Sequence, residues 1–579
     1  MELTQRTLRA RRTAAIVVAA AAAALALPGA ASAAVTGEVA GNTATLTGDG
    51  SADTIVISVD NGALQHNLGT ATGFVNASDF DSEQEDVQAL TDEATLTIDG
   101  AGGDDIITGG PNADALIGGS GSDRLTGFRG NDTGEGGEGN DTFVWNNGDG
   151  TDTNDGQGGV GDEQVMNGRN TTDNMTVKNI AGGRVRFDRD APPTPGAFGL
   201  DMGTIERLTL NPLQGDDKLV TSPGVTMPIT VAAGPGADDI ATGDAADLVQ
   251  GGEGVDALNG GLGGDRIVGN PGDDVMNGNG GDDVLVWNNG DGRDDMNGDD
   301  GLDRIENNLG AANDVSSLKV LAGKVRYERT NAPFDLDIAS SEVFELNTFG
   351  GDDTLDVSPG VGALIAVVAD AGAGNDRFTG GDETDTFFGG LGNDTLDPGP
   401  GLGDVVDGQD GDDVLNLRDN AADLGRGGAG NDRATADLAD VLADVETSDV
   451  PAAPVADTMA TAARVLSRRV TSRLRRGRYT ARIRVECPSS EPGGCAGTLV
   501  LQSARKLNVR GVKVNVVVAS KRFNLRSGQR RTLAMKLPNG VRRISRRGTL
   551  QLRAVTTSRD AAGNVASRSS RLAVKLRRR

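Results

Sequence analysis

The sequence predicts an all-β protein: a parallel β-roll or β-helix followed by a C-terminal β-sandwich. Three observations carry that prediction. A nine-residue period runs from Gly100 to Val144 and returns in two later stretches. Within it an apolar residue returns every nine places, where an amphipathic helix would show a stripe at three- and four-residue spacing. Finally, 86 of 579 residues are Gly and only 3% are aromatic, which suits many thin layers and supplies no single thick core.

Cut every nine residues, the first stretch reads GAGGDDIIT, GGPNADALI, GGSGSDRLT, GFRGNDTGE and GGEGNDTFV. Gly recurs at the first place and Asp at the sixth, as Asp105, Asp114, Asp123, Asp132 and Asp141. An apolar residue follows two places later as Ile107, Leu116, Leu125 and Phe143, with Gly134 the exception. A six-residue turn alternating with a three-residue strand accounts for this period. Glycine allows positive φ in the turn, and the single apolar side chain of each strand points inward. Stacked coils would bring like carboxylates to about 4.8 Å. There they repel by roughly 3 to 4 kcal/mol at an effective dielectric of 20. A hard divalent cation reverses that sign. Six to eight oxygen ligands in flexible geometry is the habit of calcium rather than magnesium.

The pattern GGxGxDxUx resembles the repeat of the RTX, or hemolysin-type, calcium-binding proteins. The resemblance implies several calcium ions between turns on the same side of a β-roll. Each would be held by sixth-place aspartates and backbone carbonyls of the Gly-rich turns. The second array offers Asp239, Asp247, Asp256, Asp265, Asp274 and Asp283, nine apart after one eight-residue step, and continues through Asp294 and Asp303. The third offers Asp376, Asp385, Asp394, Asp404 and Asp413. Asp432 fits the register less well, and no metal site is expected around LRDNAADLGRG.

In chain order, residues 1–33 combine Arg6, Arg9, Arg11 and Arg12, an apolar run from Ala14 to Leu27 and Ala31-Ser32-Ala33. They predict a secretory signal peptide. The run is shorter than the roughly 20 residues of a membrane span. The protein is therefore expected to be secreted, extracellular or attached to a cell surface, with no transmembrane span. Residues 34–97, with TATLTG, DTIVISV and ATLTID, are expected to cap the open end of the roll. The lone histidine, His66, is read as a solvated loop residue.

The arrays are placed at 98–153, 234–305 and 370–435, with β segments at 154–233 and 306–369 between them and a final rung and linker at 436–460. VWNNGDG at Val144 returns at Val286, an offset of 142. GGRVRF at Gly182 answers AGKVRY at Ala322, and QGDDKLVTSPG at Gln214 answers GGDDTLDVSPG at Gly350. One module is thus present twice: nonapeptides, a hairpin turning at Gly182-Gly183 or Gly323, then longer rungs. Trp145 and Trp287 hold equivalent places and are expected to close the core where nonapeptides give way to those rungs.

Charge divides the chain. Beyond Pro451, 31 Lys and Arg face 4 Asp and Glu, net +27, while the residues before carry 24 against 80, net −56. Residues 461–579 show several short strands, with Tyr479, Ala481, Ile483 and Val485 alternating against Thr480, Arg482, Arg484 and Glu486. They predict a small β-sandwich. SRDAAGNVAS resembles the DxAGN turn of bacterial Ig-like domains. Cys487 and Cys495, the only cysteines, lie in the loop-like CPSSEPGGC and are expected to form a local disulfide in an oxidising compartment. The basic surface suggests attachment to an anionic cell-wall polymer or polysaccharide. With only Tyr479 and Phe523 as aromatic platforms, sequence-specific nucleic-acid binding is not expected.

The RTX resemblance also implies that such rolls accompany secreted hydrolases, so a carboxylate-based glycosidase using the roll as a folding aid is the alternative. One histidine excludes HExxH, and GxSxG does not occur. The expectation is a non-enzymatic, structural or adhesive protein.

Overall fold

The computed structural model describes residues 35–40, 43–60, 63–66, 93–189, 198–451, 462–475, 478–489, 494–509, 512–537, 549–559 and 565–577. The signal peptide expected over 1–33 and the turn at Asp560 to Asn564 lie outside the described residues.

Each nonapeptide folds as a turn and a short strand, and successive strands alternate between two facing sheets. A strand therefore pairs in parallel with the strand two repeats on. In one sheet Ile106–Thr108 pairs with Arg124–Thr126 and that with Thr142–Asn146; in the other Ala115–Ser120 pairs with Thr133–Glu138. One coil is 18 residues, so Ile107 stacks on Leu125 and Leu125 on Phe143 in exact register, all buried. Side chains alternate across a strand, so in the three-residue strands only the middle one faces in. Burying it yields about 1.5 to 3 kcal/mol for a Leu, Ile, Val or Phe.

The same stacking recurs downstream. Ile240, Leu258, Met276 and Met296 form one column and Val249, Ile267, Leu285 and Ile305 the facing one. Phe378, Leu396, Leu415 and Ala434 repeat it in the third array. The array boundaries read from the sequence therefore mark changes of rung length within one continuous roll.

At each copy of the duplicated module one sheet takes up a three-stranded meander. Thr153–Gly158 pairs in parallel with Phe198–Gly203, which lies antiparallel to Val185–Arg189. That strand lies antiparallel to Asn174–Asn179, which passes in parallel to Lys218–Thr221. The second copy repeats the order through Asp295–Asn297, Phe334–Ala339, Lys324–Arg329, Val315–Leu321 and Thr354–Val357. The hairpins turn at Ala181–Gly183, where Gly182 and Gly183 have φ of 82° and 78°, and at Gly323, φ 86°. Sequence foresees the hairpin; the returning strands Phe198–Gly203 and Phe334–Ala339 complete the meander.

The facing sheet continues with single strands from Thr142–Asn146 through Glu163–Arg169, Arg207–Leu213 and Ile229–Ala232 to Leu248–Gln250. That is four strand-to-strand steps. The sheet with the meander needs six to pass from Thr133–Glu138 to Asp239–Ala241.

Both tryptophans line the core, as expected. Trp145 stacks on Phe198 with centroids 3.7 Å apart and Trp287 on Phe334 at 4.1 Å. Their Nε1 atoms donate to the carbonyls of Gly150 and Gly292 at 2.9 and 3.0 Å. At the beginning of the roll Thr36–Ala40 lies antiparallel to Thr43–Thr47, which starts the parallel ladder, so this segment covers an edge as a cap should. His66 ends the strand Ala63–His66.

The C-terminal residues form a separate β-sandwich with its own core, to which Tyr479, Ala481, Ile483 and Val485 contribute as their alternation predicts. Its long strands are Arg478–Glu486, Cys495–Val509, Val512–Leu525, Arg530–Leu537, Thr549–Arg559 and Val565–Arg577. Cys487 and Cys495 stand as a pair at disulfide distance, with Cα atoms 5.7 Å apart. Among the described residues no helix is long and apolar enough to cross a membrane.

Candidate metal centre

The sixth-place aspartate sits where the turn enters the strand, and its side chain turns inward. One oxygen is committed to the fold. Oδ1 of Asp123 accepts the backbone N–H of Asp105 at 2.7 Å, Oδ1 of Asp141 that of Asp123 at 2.8 Å, and Oδ1 of Asp162 that of Asp141 at 2.8 Å. Each aspartate thus staples its coil to the preceding one, and the bonds line up as rows along both edges of the roll.

On the opposite edge Asp114, Asp132 and Asp152 follow one another in this way. The second array has a row Asp217, Asp238, Asp256, Asp274, Asp294 and a row Asp247, Asp265, Asp283, Asp303. The third has Asp353, Asp376, Asp394, Asp413, Asp432 and Asp385, Asp404, Asp423. Three rows end on a glutamate: Glu206, Glu342 and Glu446 accept the N–H of Asp162, Asp303 and Asp432.

The other oxygen sorts the aspartates. Oδ2 of Asp105, Asp123, Asp132, Asp141, Asp256, Asp265, Asp274, Asp294, Asp303, Asp376, Asp394, Asp404 and Asp413 is buried and has no hydrogen-bond partner. A buried unpaired carboxylate oxygen costs several kcal/mol if charged. The same cost raises the pKa of these carboxyls. Burial first, and then neighbouring carboxylates, push Asp105 up to about 7, Asp265 to about 8 and Asp132 and Asp303 to about 9. In Asp114, Asp247 and Asp385 the second oxygen is instead taken by the turn itself. The N–H groups of Gly110, Gly243 and Gly381 donate to it at 2.6, 3.0 and 2.8 Å.

These positions also explain the glycines. A Cβ on the first-place Gly100 would lie 2.2 Å from Oδ2 of Asp105, and on Gly260 2.3 Å from Oδ2 of Asp265. The fourth-place Gly121, at φ 138°, lies so close under the preceding turn that a Cβ would stand 1.7 Å from the carbonyl oxygen of Gly103. The interior edge of each turn therefore holds a desolvated carboxylate oxygen over bare, closely stacked backbone.

This donor set fits a hard, oxygen-seeking cation such as calcium. Among the described residues no group of three acidic, His or Cys side chains converges on one point. Backbone carbonyls of the turns must then complete any coordination shell. Bound there, the ion would supply the positive charge these rows lack.

Asp239 is a correction. It begins the strand Asp239–Ala241, is half-buried and pairs with Lys218 on the outer face; Asp238 occupies the row. The physical reason is register. The inward residue, Ile240, lies two places after Asp238 as in every other repeat, and from Asp238 to Asp247 the period is nine without a slip. Asp423 lies where no metal site is expected, within LRDNAADLGRG, yet it continues its row with Oδ2 buried and unpartnered, as does Asp432. Sequence reasoning also passed over Asp53, Asp152, Asp162, Asp173, Asp217, Asp314 and Asp353. An aspartate two places before an inward-facing residue is the signal that finds several of them, as in Asp217-Lys218-Leu219 and Asp353-Thr354-Leu355. In Asp162-Glu163-Gln164 the inward residue is a buried polar one and the signal fails.

Comparison with protein families finds the RTX calcium-binding nonapeptide repeat in four copies, over residues 108–143, 233–267, 260–286 and 368–401. No curated protein matches the chain. The matched stretches fall on the three arrays where the unpartnered carboxylates lie. The chain carries RTX calcium-binding nonapeptide repeats in each of its three arrays.

Proposed function

We propose that this chain is a secreted, non-enzymatic protein that completes its fold on binding calcium outside the cell and serves as a structural or adhesive surface component. The observation that carries this is the set of buried, unpartnered Oδ2 atoms within RTX repeats. Before export, low calcium leaves the rows uncompensated. After export, ions at Asp105, Asp123, Asp141, Asp256, Asp265, Asp274, Asp376, Asp394 and their row neighbours supply folding energy directly. The remaining aspartates Asp114, Asp247 and Asp385 hold their turns closed by backbone bonds.

The basic sandwich is the attachment domain in this reading. Arg469, Arg553, Arg571, Lys575 and Arg577 are exposed and alternate with buried or half-buried neighbours on adjoining strands. Arg553 lies directly opposite Arg571. Like charges directly opposed across a ladder weaken a sheet, so stability gives no reason for this arrangement. A polyanion such as an anionic wall polymer or polysaccharide does. The mature protein should be retained on an anionic polymer at low salt and released as salt rises toward 1 M, where the Debye length falls to about 3 Å. Equal retention on a neutral matrix would refute the attachment role. Far-UV circular dichroism unchanged by chelator would refute calcium-coupled folding.

A further inference from the structure

The rows do not all begin alike. Asp173 opens the row that passes to Asp217 and Asp238, and Asp314 the row that passes to Asp353 and Asp376. Both stand where the meander interrupts the sheet. The neighbouring strand is then Val185–Arg189 or Lys324–Arg329 instead of a coil with its own aspartate. Both carboxylates are fully buried, yet neither has the bare second oxygen of later members.

Asp173 accepts a hydrogen bond from Nε of Arg169 at 3.0 Å, while Nη1 of Arg189 stands 3.7 Å away, close enough for charge attraction but without a hydrogen bond. Asp314 meets Nη1 of Arg329 at 3.3 Å. Arg189 and Arg329 close the middle strand of each meander copy, with side chains only 5% and 11% exposed. Each guanidinium is held over the ring that begins the next strand, 4.6 Å from the Phe198 centroid and 4.9 Å from that of Phe334. The ring contact and the carboxylate together compensate a cation that burial would otherwise disfavour.

We propose that Arg329 at Asp314, and Arg169 together with Arg189 at Asp173, take the charge-neutralising place that a bound ion takes along the rest of each row. Asp173 and Asp314 are then not calcium sites, and the roll winds outward from the two meanders before calcium binds. This rests on the calcium reading of the rows. It predicts a polarity of assembly that the repeat pattern alone does not contain.

Hydrogen–deuterium exchange on the full mature chain, in chelator and in saturating calcium, tests it. In chelator, strands 315–321, 324–329 and 334–339 should exchange slowly while 239–277 exchanges fast. Arg329→Gln should speed exchange of those strands by about a hundredfold or more, as for a broken buried ion pair. The Val185–Arg189 meander of the same molecule serves as the unaltered control. Asp314→Asn in the Arg329→Gln background removes the stranded charge and should return protection toward wild type. Protection in chelator that survives Arg329→Gln overturns the inference, as does failure of the double variant to regain it. If calcium leaves exchange over 239–277 unchanged, the calcium reading itself falls.

Discussion

Residues 236–303 and 315–339 belong to the same roll and are stabilised differently. The first buries a single apolar side chain in most of its strands, Val284–Asn288 at the approach to the meander burying more, and one carboxylate per turn. The second buries Leu318, Val325, Tyr327, Phe334, Leu336 and Ile338 within 25 residues and pairs its carboxylate with arginine. A coil with three-residue strands gains too little apolar burial to outweigh the ordering of its backbone, about 1 to 2 kcal/mol per residue. An external charge must make up the difference. Where a meander widens the interior, greater apolar burial and a buried arginine take that place. On the proposed reading, calcium dependence follows local rung thickness and is not a property of the roll as a whole.

Calcium removal should give the largest effect. At calcium a thousandfold above Kd each site contributes about 4 kcal/mol, so chelation should melt 236–303 and leave the sandwich core unaltered. Limited proteolysis followed by mass mapping of the surviving fragments checks this; cleavage spread evenly over roll and sandwich would erase the contrast.

The pH dependence should invert with the metal. Without calcium the folded row carboxylates bind protons more tightly than unfolded ones, Asp265 at about 8 and Asp303 at about 9 against 3.8. That contribution to stability is complete below pH 3.8 and is lost as pH rises through those values. With calcium, ligation requires the ionised form, so stability should rise over the same range. Urea midpoints between pH 5 and 9, with and without chelator, should slope in opposite directions.

Trp287→Ala sharpens the other side of the comparison. It removes a fully buried ring stacked on Phe334 and should cost about 3 to 5 kcal/mol. The loss should be similar with and without calcium in the meander strands, as read by exchange protection.

Within one row the difference narrows to a single oxygen. Asp265→Asn keeps the acceptor for the Asp247 N–H and alters only the unpartnered Oδ2. It should raise the calcium midpoint of folding about tenfold, an effect of about 1.4 kcal/mol. Asp247→Asn disturbs the Gly243 bond and should lower stability by about 1 kcal/mol without moving that midpoint. Smallest of all is Asp239→Asn. Its exposed pair with Lys218 is worth about 0 to 1 kcal/mol, and isothermal calcium titration should match wild type.

The sequence made the roll legible because Gly, Asp and an apolar residue each answer a separate geometric demand at fixed places. Asp105, Asp123, Asp132 and Asp141 could be placed in their rows directly for that reason. Register blurred where two aspartates adjoin, as at Asp238-Asp239, since both satisfy the composition and only the inward Ile240 chooses between them. It failed where a polar residue faces in, as with Gln164. The three self-closed turns were not legible at all: Asp114, Asp247 and Asp385 keep the sixth-place aspartate, and only the backbone path reveals that Gly110, Gly243 and Gly381 have taken the second oxygen. The arginines opening two rows come from the meander and lie 15 or 16 residues from the carboxylates they neutralise. At Asp314 no local motif announces the arginine, whereas at Asp173 the nearer partner, Arg169, lies only four residues before it.

The unequal strand counts of the two sheets set the outline of the molecule. Each module inserts two more strand spacings on one face than on the other, about 10 Å at some 4.8 Å each. Facing sheets lie about 10 Å apart, so such an excess cannot be absorbed by slack. The longer face must bow outward. The bowed arc opens a deeper interior, and there stand Trp145, Phe187 and Phe198 in one copy and Trp287, Tyr327 and Phe334 in the other. Both bows belong to the same sheet, so the duplicated module thickens the roll twice on one face and leaves the other face evenly stepped.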